Sequence, residues 1–189
     1  MTVLAIDTSS RGRCVVVVAA HDGTLLRADV RTEVAIDLVL PPALVALLDA
    51  EVDAVAVVTG PGSYTGVRTG IAAALGVAEG RRLPLHGIEA TEVVAAGAVA
   101  DGASRGRVVL DAGRGGIYVC AFDNGETTTA VRDTLDGFRA DGTPVFSTDD
   151  LPITGLRRLD ARTALARAVP VATARGAVPR DGLQPVYVE

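Results

Sequence analysis

The feature that most narrows the fold of this chain is a pattern that occurs twice. Leu4-Ala5-Ile6-Asp7 ends an apolar run on a carboxylate, a turn carrying Arg11-Gly12 follows, and Cys14 to Val18 resumes as a run dense in β-branched residues. Roughly a hundred residues later, Val109-Leu110-Asp111 leads through Ala112-Gly113-Arg114-Gly115-Gly116 into Ile117 to Phe122. Runs of this composition favour strands, and Asp followed by Ser, Thr or Gly favours a turn. A strand, a carboxylate turn and a second strand, given twice, imply two related halves. The polar, Gly-containing stretch Asp101 to Gly106 is the best boundary between them. It divides the chain into an N-terminal half, 1–102, and a smaller C-terminal half, 103–189.

In the first half, His21-Asp22-Gly23 turns the hairpin into a third strand, Thr24 to Val30, giving an antiparallel meander. Glu33 to Ala50 reads as a helix interrupted at Pro41-Pro42, with Pro42 to Leu48 as its firm part. Its apolar residues cover more than one face, so it calls for burial on two sides. Ala54 to Val58 is a short buried strand, Leu83 to Gly87 another, and Ala90 to Ala100 a helix rich in Ala and Val. The second half is abbreviated. Thr127 to Val145 holds one or two strands with Asp141-Gly142 as a turn, Asp160 to Val169 is a helix capped by Asp160, and Ala174 to Glu189 is an extended tail.

Between Ala54 to Val58 and Leu83 lies the most unusual helix. Gly60-Pro61-Gly62 ends the strand, and Ser63 or Tyr64 opens a helix that runs through Glu79. Gly66, Gly70 and Gly76 sit in its interior, and each glycine costs a helix about 0.8 to 1 kcal/mol relative to alanine. Gly66, Gly70, Ala74 and Ala78 recur every four residues, a flat strip on which another backbone fits. Close approach of that kind favours helix pairing, as in membrane helices, although Arg68 and Glu79 argue against a membrane here. Packing of the strip against the chain's own sheet is the competing explanation and accounts for one face. If the strip meets a partner, leucine at position 70 or 74 blocks pairing and leaves the fold intact.

Composition removes several function classes. The chain has 189 residues, 49% of them hydrophobic, enough for a substantial core. Its net charge is −5 with scattered basic residues, so it is no stand-alone nucleic-acid binder. All 18 basic residues are Arg, which excludes a Schiff-base lysine and a P-loop lysine. Cys14 and Cys120 lie within apolar strands and read as reduced core thiols. The N-terminus enters a strand without a charged and apolar leader, and no apolar run is long enough to span a bilayer, so a cytoplasmic location is expected.

Two half-domains opening in this way resemble the actin-like ATPase and sugar-kinase superfamily, with ribonuclease H-like α/β halves of mixed sheet flanked by helices. In that superfamily the first turn of each half faces a nucleotide and its metal. The corresponding residues are Asp7, Thr8 and Ser9 in the first half and Asp111 in the second. Ordinary turns explain the same residues equally well. An ATP-dependent phosphotransferase using Asp7 and Asp111 is therefore the alternative function, weakened by the short second half. Gly60-Pro61-Gly62 lacks the ending of a P-loop. His21 and His86, the two histidines, lie far apart in sequence and form neither a metal pair nor a triad, so no metal is expected and a metal-dependent glycoprotease is disfavoured.

More specific resemblance lies in four segments taken together: LAIDTSS near the start, AVVTGPGSYTGVRTGIAAALGVAEG in the middle, VVLDAGRGGIYVCAFD after the boundary and PVYV at the end. They closely resemble the TsaB (YeaZ) family, the bacterial subunit required for the threonylcarbamoyladenosine modification of tRNA. The resemblance implies a subunit with no catalytic residue and no cofactor. Its partners would be a catalytic paralogue of TsaD type and an ATPase of TsaE type, with tRNA met only through the complex and no membrane involved. Pairing by helical bundle would use Glu33 to Ala50 and Thr65 to Glu79, placing Leu40, Leu44, Leu47, Gly66, Val67, Gly70, Ile71, Ala74 and Ala78 at the contact. The same surface would serve a homodimer. Thr32-Glu33-Val34-Ala35 departs from the family's usual opening of the first pairing helix, and the tail lacks the usual Arg after its aromatic residue.

Overall fold

Strict alternation along the first strands fixes the layers. In the computed structural model, which describes residues 1–32, 35–48, 51–179 and 182–188, β1 (Thr2–Asp7) pairs antiparallel with β2 (Arg13–Ala20), and β2 with β3 (Leu25–Thr32). Helix α1 (Ile36–Leu47) then crosses to β4 (Ala54–Val58), which lies parallel to β1, and α2 (Tyr64–Arg81) crosses to β5 (Leu85–Ile88), parallel to β4. The sheet order is β3-β2-β1-β4-β5. Val3, Ala5, Val15 and Val17 point to one face; Leu4, Ile6, Val16 and Val18 point to the other. Because strand side chains alternate and both faces are covered, these segments read as continuous apolar runs.

The second sheet repeats the plan in reduced form. After α3 (Ala90–Ala100), β6 (Arg105–Gly113) pairs antiparallel with β7 (Gly116–Asp123), in the register Leu110 to Tyr118. Two short strands, β8 (Glu126–Thr127) and β9 (Val131–Thr134), pair with β7. On the other side of β6 lie β10 (Val145–Ser147) and β11 (Leu156–Arg158), both parallel. The order β11-β10-β6-β7-β8 mirrors the first sheet. Loops stand where the first half has α1 and α2, which is the abbreviation expected from the sequence. Helix α4 (Ala161–Ala174) closes the succession of elements, with the Asp160 carboxylate accepting from the Thr163 N–H at 3.0 Å as its N-cap.

Three layers of buried side chains result. Helices α1 and α2 cover the outer face of the first sheet with Leu40, Leu44, Leu47, Val67 and Ile71. Helices α3 and α4 lie on its inner face, sharing one core with Val108, Leu110, Cys120, Phe122 and Phe146 of the second sheet. Phe122 and Phe146 meet edge to face at 5.7 Å, a favoured aromatic geometry. The far side of the second sheet is covered by loop residues Phe138 and Leu151. Each fully buried Val, Leu or Ile contributes about 1.5 to 3 kcal/mol, and the two-sided first sheet holds most of them.

Several boundaries differ from expectation. α1 runs unbroken through Pro41 and Pro42, although two prolines remove the N–H donors that would meet the Asp37 and Leu38 carbonyls. Both prolines are exposed, and packing of Leu40, Ala43, Leu44 and Leu47 holds the helix together. The helix is therefore buried on one side, not two, with Leu38 and Val45 left 73% and 74% exposed. The expected ends of this helix at Glu33, Val34, Asp49 and Ala50 fall outside the described residues, as does Glu189. α4 continues past Val169 through Pro170 to Ala174, because its buried face, Leu165 to Ala172, stays packed beyond the proline. Among the described residues, no helix is long and apolar enough to cross a membrane.

Cys14 and Cys120 are free and buried. Burial pushes their thiols up, to about 11 for Cys14 and about 12 for Cys120, with nearby carboxylates adding to the effect. Buried neutral thiols are inert. Ellman's reagent is expected to react with neither cysteine in the native protein near neutral pH and with both in denaturant. Because both values are raised from 9.0, the stability these thiols contribute is complete below pH 9.0 and lost as pH rises through about 11 and 12. Rapid native labelling at pH 8 would contradict this burial.

Candidate functional site

The small-residue strip of α2 faces inward. An added Cβ at Gly66 would stand 2.0 Å from the Thr8 carbonyl oxygen, and one at Gly70 would stand 2.3 Å from Thr8 Oγ1. In turn the Thr8 hydroxyl donates to the Gly66 carbonyl at 2.7 Å. Ala74 and Ala78 are fully buried, and Val67 and Ile71 nearly so. Leu40, Leu44 and Leu47 of α1 pack into the same core. All nine residues expected at the partner contact are thus covered by the chain's own first sheet. The glycines are small because the end of β1 lies against the helix there, so leucine at 70 or 74 would disrupt the fold and not merely a pairing.

The outward side of the two helices carries a different set. α1 and α2 lie side by side, with the Arg81 guanidinium donating to the Leu48 carbonyl. Leu38 and Val45 on α1 and Tyr64 on α2 are exposed apolar side chains. Gly76 is exposed, and nothing lies within 4 Å of the place its Cβ would take. A glycine in an exposed helix interior gives up helix stability without any internal gain. At the start of α2, Arg68 stacks on Tyr64 at 3.9 Å and donates from Nε to the Tyr187 hydroxyl at 2.9 Å. The rings of Tyr64 and Tyr187 lie 5.8 Å apart. Tyr187 belongs to the tail, which returns to the first half where the Val186 N–H donates to the Thr59 carbonyl at 2.7 Å.

The two carboxylate turns meet between the sheets. Asp7 Oδ1 accepts from the Ser9 N–H at 2.8 Å and from Ser9 Oγ at 2.6 Å. Asp111 Oδ1 accepts from the Gly113 N–H at 2.7 Å. Thr8 is turned away, toward α2. Each carboxylate therefore closes its own turn. The cavity lined by Asp7, Ser9, Asp111 and Gly62 measures about 10 Å³, the lower limit for one water. The turns come together as the repeat implied, and what fills the junction is Asp149 with Arg13, two residues the sequence did not single out. Nothing in Ser147-Thr148-Asp149-Asp150 distinguishes it from an ordinary loop.

A wider cavity of about 670 Å³ opens beside the tail, lined by Glu89, Glu92, Arg132 and Arg175 among others. Two of its charges are committed to each other: the Glu92 carboxylate pairs with Arg175 and accepts the Glu89 N–H at 2.9 Å. Burial and the neighbouring Glu92 hold the Glu89 carboxyl above the usual range. These groups fasten the start of α3 to the end of α4.

Paired antiparallel-then-parallel sheets, carboxylate turns meeting between them and an exposed helical face define an α/β protein of two repeated halves. The family model described as TsaD, tRNA N6-adenosine threonylcarbamoyltransferase, matches residues 34–141. The chain belongs to this family and, within it, to the TsaB (YeaZ) group. YeaZ from Pseudomonas aeruginosa superposes with a TM-score of 0.76 at 26% identity, covering 99% of both chains. A second P. aeruginosa structure, a protein with similarity to peptidase YeaZ, gives 0.77 at 26% identity over 100% of this chain and 99% of that one. An uncharacterized Mycobacterium tuberculosis protein is 32% identical over 134 residues, 67% of this chain. The chain spans 62% of the length of that relative. The Escherichia coli tRNA threonylcarbamoyladenosine biosynthesis protein TsaB is 38% identical over 89 residues, 43% of this chain and 38% of its own.

Two glycines of one helix provide the check on this assignment of faces. Gly66→Ala is expected to lower stability by about 1 to 3 kcal/mol or more, because backbone must move to admit the methyl group. Gly76→Ala is expected to raise it by about 0.8 to 1 kcal/mol, from helix propensity alone. Urea unfolding midpoints of the two variants should therefore move in opposite directions. Movement in the same direction would reverse the assignment.

Proposed function

We propose that this protein is a non-catalytic accessory subunit in the threonylcarbamoyladenosine modification of tRNA, and that it pairs with a TsaD-type catalytic subunit. The observation that carries the reading is the likeness to YeaZ structures over the whole described fold, at a TM-score of 0.76 to 0.77. Likeness to the E. coli TsaB segment supports the same pathway. In this reading an ATPase of TsaE type joins the complex, tRNA is met through the assembly, and the cytoplasm is the place of action. A net charge of −5 supports indirect contact with RNA.

The pairing surface in this proposal is the outer side of α1 and α2, with Leu38, Val45, Tyr64 and Gly76 in place of the inward strip. Gly76 supports it because an open glycine admits the backbone of a second helix. Exposed Leu38 and Val45 support it because they supply apolar area to bury. In isolation the same face serves a homodimer.

Depleting the protein in its native host and measuring threonylcarbamoyladenosine in bulk tRNA by mass spectrometry tests the function, and an unaltered level would sink it. For the surface, Gly76→Leu and Val45→Asp are expected to remain folded. Leucine should even strengthen the helix. Both should lose co-elution with the TsaD-type subunit in size-exclusion chromatography with light scattering. Retained pairing in both variants would move the interface elsewhere.

A further inference from the structure

Where the two turns meet, a third carboxylate collects the hydrogen bonds. Asp149 follows β10 in the second half. Its Oδ1 accepts from Ser10 Oγ at 2.6 Å and lies 3.2 Å from Arg13 Nη1. Its Oδ2 accepts from the Asp111 N–H at 2.9 Å. Ser10 and Arg13 come from the first half and Asp111 from the second, so one side chain ties the two sheets together. The carrying loop is itself held: the Asp149 N–H donates to Ser147 Oγ at 2.9 Å, and Arg13 Nη2 donates to Thr148 Oγ1 at 3.1 Å.

A hydroxyl, a guanidinium and a backbone N–H converging on one pair of oxygens form a donor set suited to an oxyanion. The side chains of Arg13 and Asp149 are 13% and 8% exposed, so the attraction acts away from bulk water, where screening is weak. Arg13 Nε is buried without a hydrogen-bond partner, so the guanidinium that pairs with Asp149 keeps one donor unused. The residual cavity of about 10 Å³ leaves no room for a further group.

We propose that the junction is an oxyanion site which the chain fills itself. Asp149 supplies from within the molecule the carboxylate that holds the two sheets together, so closure of the cleft requires no external anion. The donors that would meet a ligand's oxygens at the two turns are engaged in the resting protein.

Removing the carboxylate should leave a site that a small external carboxylate can enter. Asp149→Ala is to be compared with the unaltered chain by thermal unfolding in sodium formate and in sodium chloride of equal ionic strength. Formate is expected to leave the unaltered chain where chloride leaves it. In Asp149→Ala, which starts from a lower Tm, formate should raise Tm saturably, by about 3 to 6 °C at a concentration tenfold above its dissociation constant. It should also slow hydrogen exchange at the Asp111 amide. Adding Arg13→Met should abolish the response. If Asp149→Ala does not fold in chloride, recovery of the folded state from urea in formate is the same measurement. Equal effects of formate and chloride on the variant, or an equal formate response in the unaltered chain, would overturn the proposal.

Discussion

The architecture depends on how closely α2 approaches the end of β1. Thr8 sits where β1 passes into its turn, and its hydroxyl and carbonyl oxygen both lie against the backbone of α2 at Gly66 and Gly70. That contact needs two helical positions without side chains, and the helix gives up roughly 0.8 to 1 kcal/mol at each to provide them. In return Leu4, Ile6, Val55 and Val57 on the outer face of the first sheet are fully buried. The Ser9 carbonyl accepts from the Ser63 N–H at 2.7 Å, which fixes where the helix begins. Everything built on α2, including the direction of its exposed face, follows from that anchoring.

A second consequence concerns the cleft between the halves. Ser9 and Ser10 are positioned by the turn that Thr8 pins, and that turn meets the second sheet through Asp149. Anchoring of the helix and closure of the junction are therefore neighbouring events on one loop. The tail adds a third connection, since Val186 crosses beside Gly60 and Tyr187 reaches the first turn of α2. Residues separated by more than a hundred positions thus converge on the entry to one helix, and the long helical face beyond that entry is left exposed.

Much of the fold was legible because its signals are local or repetitive. The repeated Asp turn predicted two sheets of the same plan, since strand periodicity and turn chemistry require only neighbouring residues. The abbreviated second half and the Asp160 cap were readable for the same reason. Pro41 and Pro42 misled because local propensity yielded to the packing of Leu40 and Leu44, which no short window contains. Asp149 was invisible because its partners, Ser10, Arg13 and Asp111, come from distant parts of the chain.

The sequence by itself determined that α2 must meet a backbone closely, because Gly66 and Gly70 admit no cheaper explanation in a helix interior. Which backbone, and on which side, was decided only by the tertiary structure. A strip of small residues has no label for inside or outside: it permits approach, and the approaching group is chosen by whatever the rest of the chain brings near. Here the end of β1 arrives first, carrying Thr8, and the strip becomes core. The opposite side, around Val45 and Gly76, is where burial within the chain stops.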